Sequence, residues 1–403
     1  MFFYEDGRFA SMEPLPLREA AHAAGKPVFL LRRSPETCRA SFRATDARQL
    51  VAEAEDVSFL DPRRLPPAPS ELEGLAAGMR AVNFSHPRWR ELADQTPKAG
   101  KLRVHILAMG DVGSTILMGL KLLGGDVISK IGICDLSENA LRRWEFEMNQ
   151  VTAPWDYDAM PEVEIVPQEQ IFACDCLLFA ASRGIPPVDS QVKDVRMAQF
   201  EANRGLVEHY GRLARQAGFR GLFAVISDPV DPLAKAAFLA SNVGEDGVFD
   251  GLGLLPEQIQ GFGLGVMNAR AAYYAKNDPR FSLFLTEGRA FGPHGSGLVI
   301  ANSIRHYDDA LSRELTELAL HANLRMRELG FKPYVAPALS SAAVNVLLAL
   351  RGAWHYSSVF LGGIFLGVRN RLTAEGVETE TLALPDALWA RLRETERGLR
   401  EIL

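Results

Sequence analysis

Two glycines in the stretch Ala108-Met109-Gly110-Asp111-Val112-Gly113 stand directly after one apolar run and directly before another. The chemistry such a turn serves is pyrophosphate binding. Gly110 lets the backbone approach the phosphates, and Gly113 lets a following helix pack close to a preceding strand. The free amides of that helix's first turn, with Asp111 and Val112 between the glycines, face the anion. Ala108 occupies the place where a first glycine serves the tight turn, and alanine is acceptable there if its φ stays negative. Further on, Asp135 lies at about the distance where a carboxylate meets the two hydroxyls of an adenosine ribose and repels a 2′-phosphate. The pair of signals points to NAD rather than its phosphorylated form.

These residues need a strand, a turn and a helix in that order. Leu102-Arg-Val-His-Ile-Leu107 reads as the strand, Ser114 to Leu123 as an apolar helix, and Lys130-Ile-Gly-Ile-Cys134 as a second strand ending at Asp135. The 403 residues allow one large domain or two to three ordinary ones, and 47% hydrophobic with 23% charged residues excludes a mainly disordered chain. With 44 Lys and Arg against 50 Asp and Glu, the net charge of -6 offers no bulk attraction to nucleic acid or anionic lipid, and neither is expected as a partner. The four cysteines are too few and too uneven for a disulfide framework. Cys174 and Cys176 have no second pair at zinc-ligand spacing, so no metal site is expected and a reducing, cytoplasmic setting fits. No signal-peptide pattern opens the sequence. The most apolar segments, around Ala336 to Leu350 and Val359 to Val368, are interrupted before they reach bilayer-spanning length and read as core.

The first hundred residues differ in texture. Strands are expected at Met1 to Tyr4 and Pro27 to Leu31, helices at Ala47 to Ala54 and Ser70 to Val82, and a linker in the proline-dense stretch Asp61 to Pro69. The expected division is a small α+β module of unknown role with its Pro-rich linker at 1–98, a nucleotide-binding domain at 99–256, and a catalytic and substrate domain at 257–403. An amphipathic helix from Asp386 to Leu403 closes the last of these.

From about Leu102 onward, roughly three quarters of the chain, the residues resemble the lactate and malate dehydrogenase family. The strand Cys176 to Ala181, followed by Ser182-Arg183 and a polar loop with Pro186, Pro187, Asp189 and Lys193, is similar to the strand and mobile loop that cover the family's active site. Arg196 precedes Asn203 at the family's spacing of seven. Gly221 to Pro232 looks like the family's strand ending in Ser-Asn-Pro-Val-Asp, Gly261 to Arg270 like its arginine-bearing segment, and Gly292-Pro-His294-Gly-Ser like its Gly-Glu-His-Gly motif.

The resemblance implies an α/β fold, a Rossmann-type doubly wound parallel sheet followed by a lactate/malate dehydrogenase-like C-terminal domain. It implies an NAD-dependent enzyme interconverting a 2-oxo acid and a 2-hydroxy acid, as a homodimer or homotetramer. In that reading Arg196 polarises the substrate carbonyl, Arg270 holds the substrate carboxylate by a two-pronged contact, and His294 exchanges the hydroxyl proton. Ser190, Lys193 and Ser340 touch the substrate. Ala181, Ser182, Arg183 and Ser227 line the cofactor, with Asn203 beside the nicotinamide ribose.

Two positions depart from the family. Its aspartate three residues before the carboxylate-binding arginine falls on Met267, which cannot orient an imidazolium, and its asparagine falls on Asp228, an acceptor in place of a donor. Three readings follow: Asp228 rebuilds the dyad with His294 from the other side of the pocket; Asp228 accepts from a substrate amine or imine, giving a C–N oxidoreductase of opine type; or the site is an inactive relic that binds nucleotide. Ser190 stands where the malate enzymes place a second arginine, which argues against a simple dicarboxylate. An NAD-dependent glycosidase family shares the superfamily's fold but needs a metal held by a Cys and a His, and no such pair stands out.

Overall fold

The computed structural model of the protein describes residues 1–74, 77–96, 98–183 and 195–402, the side chains of 195–198 excepted. Among them, no helix is long and apolar enough to cross a membrane.

A nine-stranded sheet forms the centre. Its parallel part comprises β7 (Leu102–Leu107), β8 (Ile128–Cys134), β9 (Glu162–Ile165), β10 (Cys176–Phe179), β11 (Leu222–Val225) and β12 (Ile259–Gly261), in the spatial order β9-β8-β7-β10-β11-β12. Chain order therefore reverses between β7 and β10, the arrangement of a doubly wound dinucleotide fold. These strands read as near-continuous apolar runs because both faces are covered. On one face Val104, Ile106, Ile131 and Leu178 pack against Ile116, Leu117 and Leu120 of helix α1 (Asp111–Leu123). On the other, Leu177, Phe179 and Phe223 pack against α2 (Val195–Gln216) and α3 (Val230–Asn242) through Phe200, Val207, Leu233 and Phe238.

The sheet continues past the expected boundary at residue 256. β12 adds to β11, then β15 (His355–Leu361), β16 (Ile364–Thr373) and β17 (Gly376–Thr379) extend it antiparallel. A separate hairpin of β13 (Arg289–Phe291) and β14 (Val299–Ala301) carries His294 in its loop. Helices α4 (Leu264–Asn277), α5 (Asp309–Glu328) and α6 (Val344–Leu350) cover this half, and the expected terminal amphipathic helix is α7 (Asp386–Arg400).

The N-terminal residues build a six-stranded sheet from β1 (Phe2–Tyr4), β2 (Phe9–Ser11), β3 (Glu19–Ala20), β4 (Val28–Leu31), β5 (Ser41–Arg43) and β6 (Arg80–Asn83), in the order β3-β1-β2-β4-β6-β5. Here two expectations fail. Helix Ser70 to Val82 is only one turn, Ser70–Glu73; Gly78 at φ +74 ends any helical path, and Arg80–Asn83 becomes β6 because it is clasped between β4 and β5, with Ala81 and Val82 fully buried. The proline-dense stretch is no free linker. The buried Asp61 carboxylate accepts from Leu384 N at 3.1 Å, and Leu382 N donates to Leu60 O at 2.8 Å, fastening this stretch to the segment before α7.

Phe29, Phe42 and Phe59 of the module share one apolar cluster with Leu361, Ile364 and Leu366 of the central sheet, Leu388 and Leu392 of α7, and Phe291 and Val299 of the His294 hairpin. Beside it, Arg33 Nη1 and Arg39 Nε lie 3.0 and 2.8 Å from the two oxygens of Glu55, with all three side chains 2% exposed or less. Two guanidiniums so deep depend on the one carboxylate between them. Glu55→Ala should therefore cost about 3–5 kcal/mol in urea denaturation. Because the core is shared, unfolding should remain one transition when followed both by Trp89 in the module and by Trp354 beside β15.

Candidate active site

The loops after β7, β10 and β11 lie at the carboxyl ends of neighbouring strands, where open α/β sheets bind ligands. In the first, Ala108 adopts φ +76. The condition under which alanine was acceptable is not met: this position needs the left-handed backbone that glycine takes freely, and alanine there costs about 1–2 kcal/mol. Gly113 is forced, since a Cβ on it would stand 2.0 Å from Ala108 O, whereas a Cβ on Gly110 would meet nothing within 4 Å. The turn thus packs tightly on its inner side and is open on its outer side. Asp135 staples it, accepting from Met109 N at 2.6 Å through Oδ2 and from Ser137 N at 2.8 Å through Oδ1. Each oxygen keeps a lone pair for a ribose hydroxyl.

Two residues here escaped the sequence reading. Leu136, directly after Asp135, is fully exposed and offers an apolar face where an adenine ring would lie; an apolar residue just past the acid was the available signal. Lys332 Nζ sits 2.8 Å from Asp111 Oδ2 and offsets a carboxylate at the first turn of α1, a contact across 221 positions that no local pattern announces. The open face at Gly110, the donor-rich helix start and the stapled acid fit a dinucleotide.

The second and third loops are bound to each other. Asn203 of α2 is wholly buried; its Nδ2 donates to Asp228 O at 2.9 Å, and its Oδ1 accepts from Arg183 N at 2.9 Å and Ser182 Oγ at 3.3 Å. Ser227 Oγ donates to Ala181 O at 2.7 Å. Asn203 and Ser227, expected to line the cofactor, have these polar atoms engaged in holding the strand tips.

Asp228 then faces the hairpin loop, where His294 Nδ1 lies 3.1 Å from Asp228 Oδ1. The imidazole is 20% and the carboxylate 43% exposed, so the pair borders solvent without being washed by it. The loop is clamped from behind. Gly292, at φ +85, donates its N–H to Gly367 O at 2.9 Å, and Thr395 Oγ1 of α7 donates to Gly297 O at 2.8 Å.

Arg270 stands on α4 one turn after the buried Met267, with Nη1 3.3 Å from Ala319 O and 3.6 Å from Met267 Sδ. Burial lowers its pKa, opposed by Tyr274 and by Asp228, yet a guanidinium remains charged. Asp231, on the first turn of α3, is 5% exposed and burial pushes its pKa up to about 7, with His294 pulling the other way.

Ser190 and Lys193 lie outside the described residues, and Arg196 falls on the first turn of α2, its side chain likewise undescribed. Ser340 lies on the segment before α6. It lines a cavity of about 310 Å³ with Asn268, Asn345, Trp354, Tyr356 and Arg369. Cys176 is buried in the core and Cys174 partly buried beside it, burial pushing the Cys174 thiol up to about 12 and the Cys176 thiol well above its usual range. Among the described residues no group of three or more His, Cys, Asp or Glu side chains could hold a metal.

No family model and no curated protein matches the chain by sequence. Solved structures do match by shape. The malate dehydrogenase of Picrophilus torridus in its apo form aligns over 75% of this chain and 96% of its own, with TM-score 0.59 and 16% identity. A minor L-lactate dehydrogenase from Enterococcus mundtii aligns over 75% and 97%, with TM-score 0.60 and 18% identity. The malate dehydrogenase of Archaeoglobus fulgidus in complex with NADH aligns over 75% and 98%, with TM-score 0.60 and 16% identity. The fold is that of the α/β dehydrogenases. Within that class, it is the fold of the lactate and malate dehydrogenases.

The strained turn gives a direct test: Ala108→Gly should stabilise the protein by about 0.5–1 kcal/mol in urea denaturation, relief of strain exceeding the added flexibility of the unfolded chain.

Proposed function

We propose that this chain is an NAD-dependent oxidoreductase that interconverts a 2-oxo acid and a 2-hydroxy acid, with residues 99–256 holding the cofactor and 257–403 completing the substrate site. The observation that carries this reading is the 3.1 Å contact between His294 Nδ1 and Asp228 Oδ1. It supplies an acid/base imidazole with an orienting carboxylate although Met267 has replaced the family's own partner.

When bound, the nicotinamide gives or takes the hydride. The chain's residues handle the rest. Nδ1 held by Asp228 leaves Nε2 as the nitrogen that delivers a proton to the carbonyl oxygen or removes it from the hydroxyl. Asp228 offsets the charge on the imidazolium. Arg270 accepts the substrate carboxylate by exchanging its weak contacts with Ala319 O and Met267 Sδ for charge-assisted ones. Arg196 is assigned to the carbonyl from the resemblance, and with it come a cytoplasmic setting and a homodimer or homotetramer. Asp135 favours NAD, because its carboxylate would repel a 2′-phosphate.

A second reading draws on the 43% exposure of Asp228. A carboxylate so open to the pocket can accept from a substrate amine, which would make the reaction a C–N oxidoreduction.

NADH oxidation against a panel of 2-oxo acids, with and without ammonium or amino acids, separates the two. Turnover with an oxo acid alone supports the rebuilt dyad, and turnover that requires an amine supports the second reading. His294→Ala should lower kcat/KM by about 10²–10⁴-fold while NADH affinity holds. Binding of NADH with no turnover on a broad panel, or activity untouched in His294→Ala, would remove the catalytic assignment.

A further inference from the structure

The glycine turn carries a charge at odds with the ligand proposed for it. Asp111 is the first residue of α1, directly after Gly110. Ser114 N, donating to Gly110 O at 2.9 Å, is the first amide of this helix start to have an acceptor. Among the described residues, the N–H groups of Gly110, Asp111, Val112 and Gly113 have none. Amides so placed, with the positive end of the helix dipole behind them, draw an anion. A carboxylate at the same helix end answers that dipole by itself and repels an incoming phosphate. The Asp111 side chain accepts from none of these amides. It turns to Lys332, whose Nζ lies 2.8 Å from Asp111 Oδ2. Resting on the assignment of this turn to a dinucleotide, we propose that Lys332 is a positioning residue for the cofactor. It cancels the Asp111 carboxylate, so that a pyrophosphate meets the free amides across a neutral rim.

The fold brings the lysine there from both sides of its segment. α5 ends at Glu328, and Gly330, at φ +83, turns the chain out of it, with Gly330 N donating to Arg327 O at 2.9 Å and Phe331 N to Met326 O at 3.0 Å. Beyond Lys332, the helical stretch Pro337–Ala343 packs on α1 so closely that a Cβ on Gly119 would meet Ala343 Cβ at 2.7 Å and Leu339 Cδ2 at 3.1 Å. Lys332 is therefore held between a terminated helix and a close contact with the helix it serves. The pair itself is exposed, 75% at Lys332 and 55% at Asp111, and in that setting an ion pair adds little to stability. Its consequence falls on whatever anion shares the helix end. The hydrogen bond to Asp111 raises the Lys332 pKa, so the ammonium stays charged at neutral pH. A pyrophosphate at the turn feels Asp111 and Lys332 together, and the two charges cancel. Without the lysine it faces an uncompensated carboxylate.

Fluorescence titration with NADH at low salt tests this without any turnover. Lys332→Ala should weaken NADH binding about 10-fold. Adding Asp111→Asn to that variant should recover most of the loss, because a neutral amide at the helix start needs no cation beside it. The gap between wild type and Lys332→Ala should close as salt rises from about 0.01 M to about 1 M, where the Debye length falls from about 30 Å to about 3 Å. A purely structural role for the lysine would give neither the rescue nor the salt dependence. The urea midpoints of the variants should match wild type, since only an exposed pair is removed; should Lys332→Ala fold poorly, Lys332→Gln carries the same comparison. Binding by the lysine variant equal to that of wild type, or a loss that Asp111→Asn does not recover, overturns the proposal and leaves the cofactor reading in place. A wild-type protein that binds no NADH overturns both.

Discussion

Everything in the pocket depends on the buried amide of Asn203. A carboxamide has two faces, a donor and an acceptor, and here both are used to bind the tips of adjacent strands: the acceptor takes Arg183 N and Ser182 Oγ beyond β10, and the donor reaches Asp228 O beyond β11. Parallel strands splay where their ladder ends, and a wholly buried amide that leaves either face unpaired loses more than a hydrogen bond. The clasp fixes the backbone of Asp228, and so fixes where its carboxylate meets His294. Ser227, reaching back to Ala181 O, repeats the bond one residue earlier. The residues with the least exposure to any ligand thus determine the geometry of those with the most.

The partner side of the pair is held by different means. His294 rides on a loop pinned by Gly367 O and by Thr395, and the hairpin below it drives Phe291 and Val299 into the cluster shared with Phe29, Phe42 and Phe59. The N-terminal residues, which stand outside the resemblance to the dehydrogenases, therefore buttress the imidazole from behind. The carboxylate beside the imidazole comes from the loop after β11, while Met267, one turn before Arg270, is packed among the apolar side chains of α4 and α5.

The reading of the sequence succeeded where the determinants are local and failed where they are not. Strand, glycine turn, helix and acid between Leu102 and Asp135 lie within one supersecondary unit, and their order is legible from runs and spacing. Arg80 to Val82 leave the expected helix because so short a run has no intrinsic claim to be a strand; β4 and β5, some forty to fifty residues earlier, make it one. Ala108 shows the same limit at the scale of one dihedral, since residue type does not report φ and the surrounding packing imposes it. Asp231 closes the Ser-Asp-Pro-Val-Asp run that the sequence shows, but its burial, which residue type does not report, is set by the fold.

The fastening of the proline-dense stretch to the far end of the chain bears on the order of synthesis. Arg64 meets Asp386 across 322 positions and Asp61 meets Leu384 N across 323. On the ribosome, the first module emerges long before β16 and α7 exist to cover Phe29, Phe42 and Phe59. Until then those aromatic faces lack their lid, a state that invites holding chaperones and pairing with the wrong neighbours. Such a chain cannot finish its beginning until it has made its end.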